Sequence, residues 1–224
     1  MSQARTALVA GASGLIGGHL LGLLLDDPAY DRVTTLARGA LPRTHKKLVQ
    51  RVVDFERLAE VGDFPRVHDV FCCLGTTIRQ AGSQDAFREV DMTYVVELGR
   101  MAVRHRAAQF LAVTALGADP RSRVFYNRVK GETEEAIRRL QFEGIQIFRP
   151  SLLLGKRAQS RPAERIAGLL SPLVGWVMMG PLARYRPIKA ATVARAMVRV
   201  ARDAPRGAHV YESDAIRRLG GGRR

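Results

Sequence analysis

Cysteine is nearly absent from this chain: among 224 residues only Cys72 and Cys73 carry a thiol, and they are adjacent. Neighbouring residues of a strand point to opposite faces, so a bond between these two would be strained and a fold stapled by disulfides is excluded. They read as small core thiols, with a redox pair as the weaker alternative. Aromatic residues are also sparse, at 6%, with a single tryptophan, Trp176. No stretch of about 18 uninterrupted apolar residues occurs, which excludes an ordinary membrane-spanning helix. The chain moves almost at once into a buried-strand pattern and not into a cleavable signal, so the expected location is cytoplasmic. The five histidines, His19, His45, His68, His105 and His209, share no metal-ligand spacing with one another or with carboxylates, and no metal site is expected.

Charge of one sign is abundant. The formal net charge is +15, yet only five of the 36 basic residues are lysines, and the arginines are spread along the chain without a dense block or interleaved aromatics. That distribution fits a compositional bias towards arginine; weak attraction to polyanions follows from charge alone, and no specific nucleic-acid partner is expected. With 46% apolar residues the chain can bury one sizeable core, and its length suits one α/β domain over residues 1–219 with a frayed Gly- and Arg-rich tail at 220–224.

Short apolar segments alternate with helical patterns. Strands are expected at 5–10, 32–37, 48–53, 69–74, 109–114 and 145–148, the last closed by Arg149 and Pro150. Helices are expected at 15–25, stopped by Asp26, Asp27 and Pro28, then at 84–106, 124–142 and 190–202, with Gly144 ending the third and a short strand near Val210. This rhythm predicts a doubly wound parallel sheet with right-handed crossovers. Residues 151–190 are too few for a second domain and read as a cap on the substrate side.

The first crossover opens on Gly11, Ala12, Ser13, Gly14, Leu15, Ile16 and Gly17, directly after a strand and at the start of a helix. Glycine permits the tight turn and lets backbone amides approach a pyrophosphate at the helix amino end, so the segment reads as a dinucleotide-binding turn. About 20 residues further on, enzymes that take NAD place an acid against the ribose 2′-hydroxyl. Here the residue is Arg38. A guanidinium can clamp a 2′-phosphate, which favours NADP(H) over NAD(H), although arginine is common throughout the chain.

Tyr126 and Lys130 lie four residues apart on a predicted helix and share one face. An ammonium beside a phenol favours its phenolate, the property a carbonyl reductase needs in a residue that gives a proton to a carbonyl oxygen. In isolation such a pair is more often a solvated helix face; its place after the fifth strand of a glycine-turn fold gives it weight.

Five segments, taken in order, resemble the short-chain dehydrogenase/reductase superfamily, and within it the atypical branch of Tat-interacting-protein-like oxidoreductases. They are the turn at 11–17, the strand end from Phe71 to Thr77, the segment from Leu116 to Asp119, the helix from Tyr126 to Glu132 and the strand exit from Phe148 to Ser151. The resemblance implies an NADP(H)-binding Rossmann fold. It implies Leu74, Gly75 and Thr76 beside the cofactor, Asp54 near the adenine, and Arg149, Pro150 and Ser151 flanking the nicotinamide.

The chain departs from the family pattern at two places. Ala115 stands where the active-site serine is expected, leaving Thr114 as the only neighbouring hydroxyl and a candidate auxiliary, and Asp91 stands where many members have an asparagine. Three readings follow. The first is an NADP(H)-dependent oxidoreductase acting on a small carbonyl or alcohol, with Tyr126 as acid/base, Lys130 as its electrostatic partner and Thr114 in support. The second, motivated by the missing serine, is a non-catalytic NADP(H)-binding regulator with a protein partner. The third is nucleotide-sugar epimerase or dehydratase chemistry, against which Arg38 and the short carboxyl-terminal part weigh. A monomer or homodimer suits all three. The apolar run at 169–182, with Trp176, Met178 and Met179, reads as core packing, an apolar wall over the nicotinamide, or a membrane-surface contact.

Overall fold

Strand and helix alternate from the first turn of chain onward in the computed structural model, which describes residues 4–62, 66–154 and 184–222. β1 (Arg5–Ala10) leads into α1 (Leu15–Asp26), followed by β2 (Tyr30–Ala37), β3 (Leu48–Val52), a 3-10 turn at Phe55–Glu60 and β4 (Asp69–Cys72). Next come α2 (Ile78–Ala81), α3 (Gln84–Arg88), a π turn at Glu89–Thr93 and α4 (Tyr94–Arg104), then β5 (Gln109–Val113), α5 (Phe125–Arg138) and β6 (Gly144–Arg149). The described part closes with β7 (Leu153–Leu154), β8 (Ile188–Lys189), α6 (Ala190–Asp203), β9 (Gly207–Glu212) and α7 (Ser213–Gly220).

Seven strands form one sheet in the order β3-β2-β1-β4-β5-β6-β9, and every adjacent pair is parallel. The winding runs outward from β1 through β2 to β3, then resumes on the other side of β1 with β4. This doubly wound arrangement leaves a crevice at the carboxyl ends of β1 and β4, where ligands of such sheets bind.

Side-chain alternation along the strands builds two cores. Ala7 and Val9 of β1, Phe71 of β4 and Leu111 of β5 face α1 and α6, packing with Leu20, Leu24, Val193 and Met197. Leu8 and Ala10, Val70 and Cys72, and Phe110 and Ala112 face the other way, onto Leu98 and Met101 of α4 and Ile137 of α5. Cys72 and Cys73 are both free and pack into opposite cores, as the alternation requires.

Four details differ from the expectations. The predicted helix over 84–106 is α3, the π turn and α4 in succession, the extra residue of the π turn shifting which side chains face inward. The helix predicted over 124–142 ends at Arg138. Leu140 then folds back over Gly99 of α4, where a Cβ would lie 2.4 Å from its Cδ1. Gly144 begins β6 instead of ending a helix. Gly220, assigned above to a frayed tail, is the buried last residue of α7: its carbonyl accepts from Arg195 Nε at 2.7 Å, and a Cβ there would lie 1.9 Å from the Thr192 carbonyl oxygen. The apolar run at 169–182 and most of the expected cap lie outside the described residues.

Candidate functional site

The turn between β1 and α1 requires its glycines. Gly11 has φ +82°, and a Cβ on it would sit 2.4 Å from the Cys73 carbonyl oxygen of the chain leaving β4. A Cβ on Gly17 would meet the Gly11 carbonyl oxygen at 2.1 Å, so α1 can press against the turn only because both positions are bare. The Gly14 amide donates to Gly11 O at 3.0 Å, Ser13 and Gly14 are exposed, Leu15 is half-buried and Ile16 is buried in the core. No side chain among the described residues caps α1 and its first turn holds no acid, which leaves the amino end of the helix suited to an anion.

Beside this turn, β4 delivers Leu74, Gly75 and Thr76 to the same crevice. Gly75 is exposed, and a Cβ there would stand 3.4 Å from Asp91 Oδ1 and 3.8 Å from Lys130 Nζ. Thr76 donates its amide to Asp91 Oδ2 at 2.8 Å. Asp91, at 1% exposure, belongs to the π turn, and its Oδ1 lies 2.7 Å from Lys130 Nζ. That approach is a close ion pair between two buried groups, although its angle falls short of an aligned hydrogen bond.

α5 supplies the rest. It approaches the loop after β5 closely because Gly131 is bare: a Cβ there would lie 2.2 Å from Pro120 N. Tyr126 is half-buried, its ring tilted against Phe87 at 5.4 Å between centroids, and Lys130 follows one turn later, buried. Burial alone would lower the Lys130 ammonium from its ordinary value, but the charges of Asp91 and Tyr126 and the contact with Asp91 outweigh it, and the net shift is upward. Lys130 is thus brought against the Gly75–Thr76 loop at the carboxyl edge of β4, with Tyr126 one helical turn away on the same helix.

Thr114 is not part of that group. Its hydroxyl donates to Glu134 Oε1 at 2.7 Å and lies 3.4 Å from Phe148 O, so its one proton is committed to a buried carboxylate and the expected catalytic support is corrected. Glu134 also receives Arg149 through Nε at 2.9 Å and a terminal nitrogen at 2.6 Å. The hydrogen bonds that Arg149 donates to Glu134 outweigh burial and hold it above the ordinary arginine value. Arg149 is therefore engaged within the fold, and Pro150 is buried, its carbonyl accepting from Leu116 N at 2.9 Å. Ser151 Oγ contacts Arg186 O and lies 2.9 Å from Ser213 Oγ. Asp54 is exposed and caps the 3-10 turn through Glu56 N at 3.0 Å, and Arg38 is exposed just past the end of β2. Among the described residues no group of three or more His, Cys, Asp or Glu could hold a metal ion.

Glu134 was missed by the sequence reading although its signal was present. Tyr126, Lys130 and Glu134 recur every four residues, one stripe of a single helix, of which only the first two were singled out.

No family model matches the chain. It is 38% identical over 169 residues to the Rattus norvegicus protein HTATIP2, covering 74% of this chain and 69% of that protein. It is 34% identical over 187 residues to the mitochondrial protein fmp52 of Aspergillus fumigatus, covering 80% and 79%. The chain belongs to the atypical short-chain dehydrogenase/reductase family, in the Tat-interacting-protein branch. Among solved structures it is similar to MoeE5 in complex with UDP-glucose and NAD, with TM-score 0.70 at 17% identity over 96% of this chain and 80% of that one. It also resembles a short-chain dehydrogenase/reductase family oxidoreductase from Burkholderia thailandensis, with TM-score 0.67 at 21% identity over 96% and 93%. The fold is that of NAD(P)-binding oxidoreductases of this family. The cytoplasmic location expected above is withdrawn, because the fungal relatives are named as mitochondrial proteins. No helix among the described residues is long and apolar enough to cross a membrane.

Proposed function

We propose that the chain is an NADP(H)-dependent oxidoreductase that interconverts a small carbonyl compound and its alcohol. The observation that carries the reading is the buried Lys130 ammonium, one helical turn from Tyr126 and against the exposed Gly75 at the mouth of the crevice. The site suits a nicotinamide dinucleotide on three counts. The tight turn closes only with glycine at 11 and 17 and leaves Ser13 and Gly14 exposed, the amino end of α1 is uncapped, and the Lys130 ammonium stands 3.8 Å from where a Cβ on the exposed Gly75 would be. The complexes of MoeE5 with UDP-glucose and NAD and of Bordetella bronchiseptica WbmH with NAD+ support a dinucleotide in this kind of fold.

In this reading Gly11, Ser13, Gly14, Leu15, Ile16 and Gly17 hold the diphosphate through main-chain amides. Arg38, exposed and without a side-chain hydrogen bond or ion pair among the described residues, takes the 2′-phosphate, and Asp54 lies toward the adenine. Leu74, Gly75 and Thr76 form the floor, Lys130 meets ribose hydroxyls, and Pro150 and Ser151 border the nicotinamide through the backbone. When bound, the reduced cofactor supplies a hydride to the substrate carbon. Tyr126 gives its hydroxyl proton to the substrate oxygen in the reductive direction and recovers it in the oxidative one. The Lys130 charge favours the negative oxygen left on Tyr126 when that proton departs.

Purified protein given NADPH and a panel of aldehydes and ketones is expected to oxidise the cofactor, and Tyr126→Phe to lower turnover by about 10²–10⁴-fold while NADPH still binds. An absence of oxidation across the panel, or turnover indifferent to Tyr126→Phe, contradicts the proposal. Ala115 in the serine position and the commitment of Thr114 to Glu134 favour a second reading, a regulator that binds NADP(H) without turning over. That reading expects saturable NADPH binding, no oxidation, and a protein partner whose affinity changes with cofactor.

A further inference from the structure

We infer that Asp91 is a positioning residue that keeps the Lys130 side chain charged and locks it to the loop that follows β4. The consequence for turnover rests on the oxidoreductase reading; the electrostatic claim does not.

Two positive or polar donors converge on one buried carboxylate. Lys130 Nζ stands 2.7 Å from Oδ1 and the Thr76 amide donates to Oδ2 at 2.8 Å. An asparagine, the residue common at this place in the family, has one oxygen and an NH2 group, so it can accept from only one of the two and must turn a donor toward the other. A carboxylate offers an oxygen to each. The π turn is what aims it: one extra residue in the helix between α3 and α4 carries Asp91 inward. There its own carbonyl lies 3.0 Å from the Thr133 hydroxyl of α5, which shares its one proton between that oxygen and the Val129 carbonyl at 2.7 Å. The carboxylate and the carbonyl of one residue thus tie the cofactor-facing loop, the π turn and α5 together.

The reason for such an arrangement lies in burial. Lys130 has Val129 and Gly131 buried beside it and Cys72 of β4 nearby, and a lysine in such surroundings tends to give up its proton. The ionisable groups that bear on it are Asp91 from the π turn, Tyr126 from its own helix and Cys72 from β4. Glu134, one turn further along α5, is already taken by Arg149 and Thr114. Cys72 is held protonated by burial, up to about 12, so Asp91 is the one permanent negative charge close to the ammonium among these groups. Removing that charge leaves an unpaired buried cation, which the lysine can relieve by losing its proton.

The chain has only five lysines, so the side-chain ¹⁵Nζ and ¹³Cε signals are few, and Lys130→Arg identifies the one that matters. In the wild type without cofactor, Lys130 is expected to show no inflection below its ordinary value of 10.5. In Asp91→Asn the inflection is expected to fall by about one unit or more, and in Asp91→Glu, which keeps the charge, to stay above that of Asp91→Asn. A wild-type inflection below the ordinary value, or one that Asp91→Asn leaves in place, overturns the inference. Should Asp91→Asn fail to fold, Asp91→Ala takes its place in the same comparison, and the wild-type titration still decides by itself. If Lys130 behaves as expected and no substrate is turned over, the oxidoreductase reading fails alone. If turnover depends on Tyr126 while Asp91→Asn leaves the Lys130 inflection unmoved, the inference fails alone.

Discussion

The two ends of the sheet each bury an aspartate, and they use it differently. At the amino end Asp69 is fully buried and its carboxylate is saturated: Arg5 donates twice, at 2.9 and 2.6 Å, Tyr30 Oη at 2.7 Å and Gln109 Nε2 at 2.9 Å. Those donors come from β1, β2 and β5, and Gln109 continues to the Ala201 carbonyl of α6 at 3.1 Å. At the carboxyl end Asp91 holds an ammonium and one amide but keeps an oxygen without an aligned donor, beside a glycine that leaves the space open. A buried charge bonded wholly within the sheet fastens strands together, whereas Asp91 spends its charge on an ammonium that stands beside an exposed glycine.

The contrast predicts where substitutions register. Asp69→Ala strands a guanidinium and a phenol at the amino end and is expected to cost about 3–5 kcal/mol of stability, with the NADPH affinity of the folded fraction unchanged. Chemical denaturation alongside cofactor titration checks both, and a loss of affinity without loss of stability would erase the distinction between the two ends. Arg38→Ala should act in the opposite sense, weakening NADPH by about tenfold or more while leaving NADH and the melting temperature nearly alone. Equal weakening of both cofactors would remove the basis for preferring NADP(H).

Thr114→Val probes the boundary between fold and chemistry. It deprives Glu134 of one donor while Arg149 remains, so the expected cost is about 1 kcal/mol with turnover within a few-fold of wild type. A collapse of turnover comparable to Tyr126→Phe would return Thr114 to the catalytic group. The smallest effect concerns pH. Burial first, and then the Asp69 charge, hold the Tyr30 hydroxyl protonated well above its ordinary value of 10.0. The unfolded chain sheds that proton above about pH 10 while the folded chain keeps it, so this stabilisation is whole below that point and declines as pH rises beyond it. Denaturation midpoints at about pH 8 and about pH 11 should therefore diverge less in Tyr30→Phe than in the wild type; equal divergence would place the alkaline sensitivity elsewhere.

Much of this architecture was legible from spacing alone. The apolar runs of β1, β4, β5 and β6 are short and flanked by turns, and the glycines at 11, 14 and 17 mark the crossover because a Cβ at 11 or 17 has no room. Tyr126 and Lys130 could be paired from their separation on one helix. The direction of Thr114 was partly within reach: it shares the parity of Phe110 and Ala112, the face that packs on α5, but which residue of that helix its hydroxyl meets was not. What could not be read was which acid each cation meets. Asp91 is aimed by a π turn with no reliable local signature, and Glu134 finds Arg149 only because α5 and β6 are brought together by the crossover.

Calorimetric titration of NADPH into the intact chain tests the central claim most directly. Saturable binding at one site per chain, stronger than that of NADH, is the expected result, since the cradle, the uncapped helix and the exposed Arg38 all lie at the carboxyl edge of β1 and β2. No heat with either dinucleotide would contradict it.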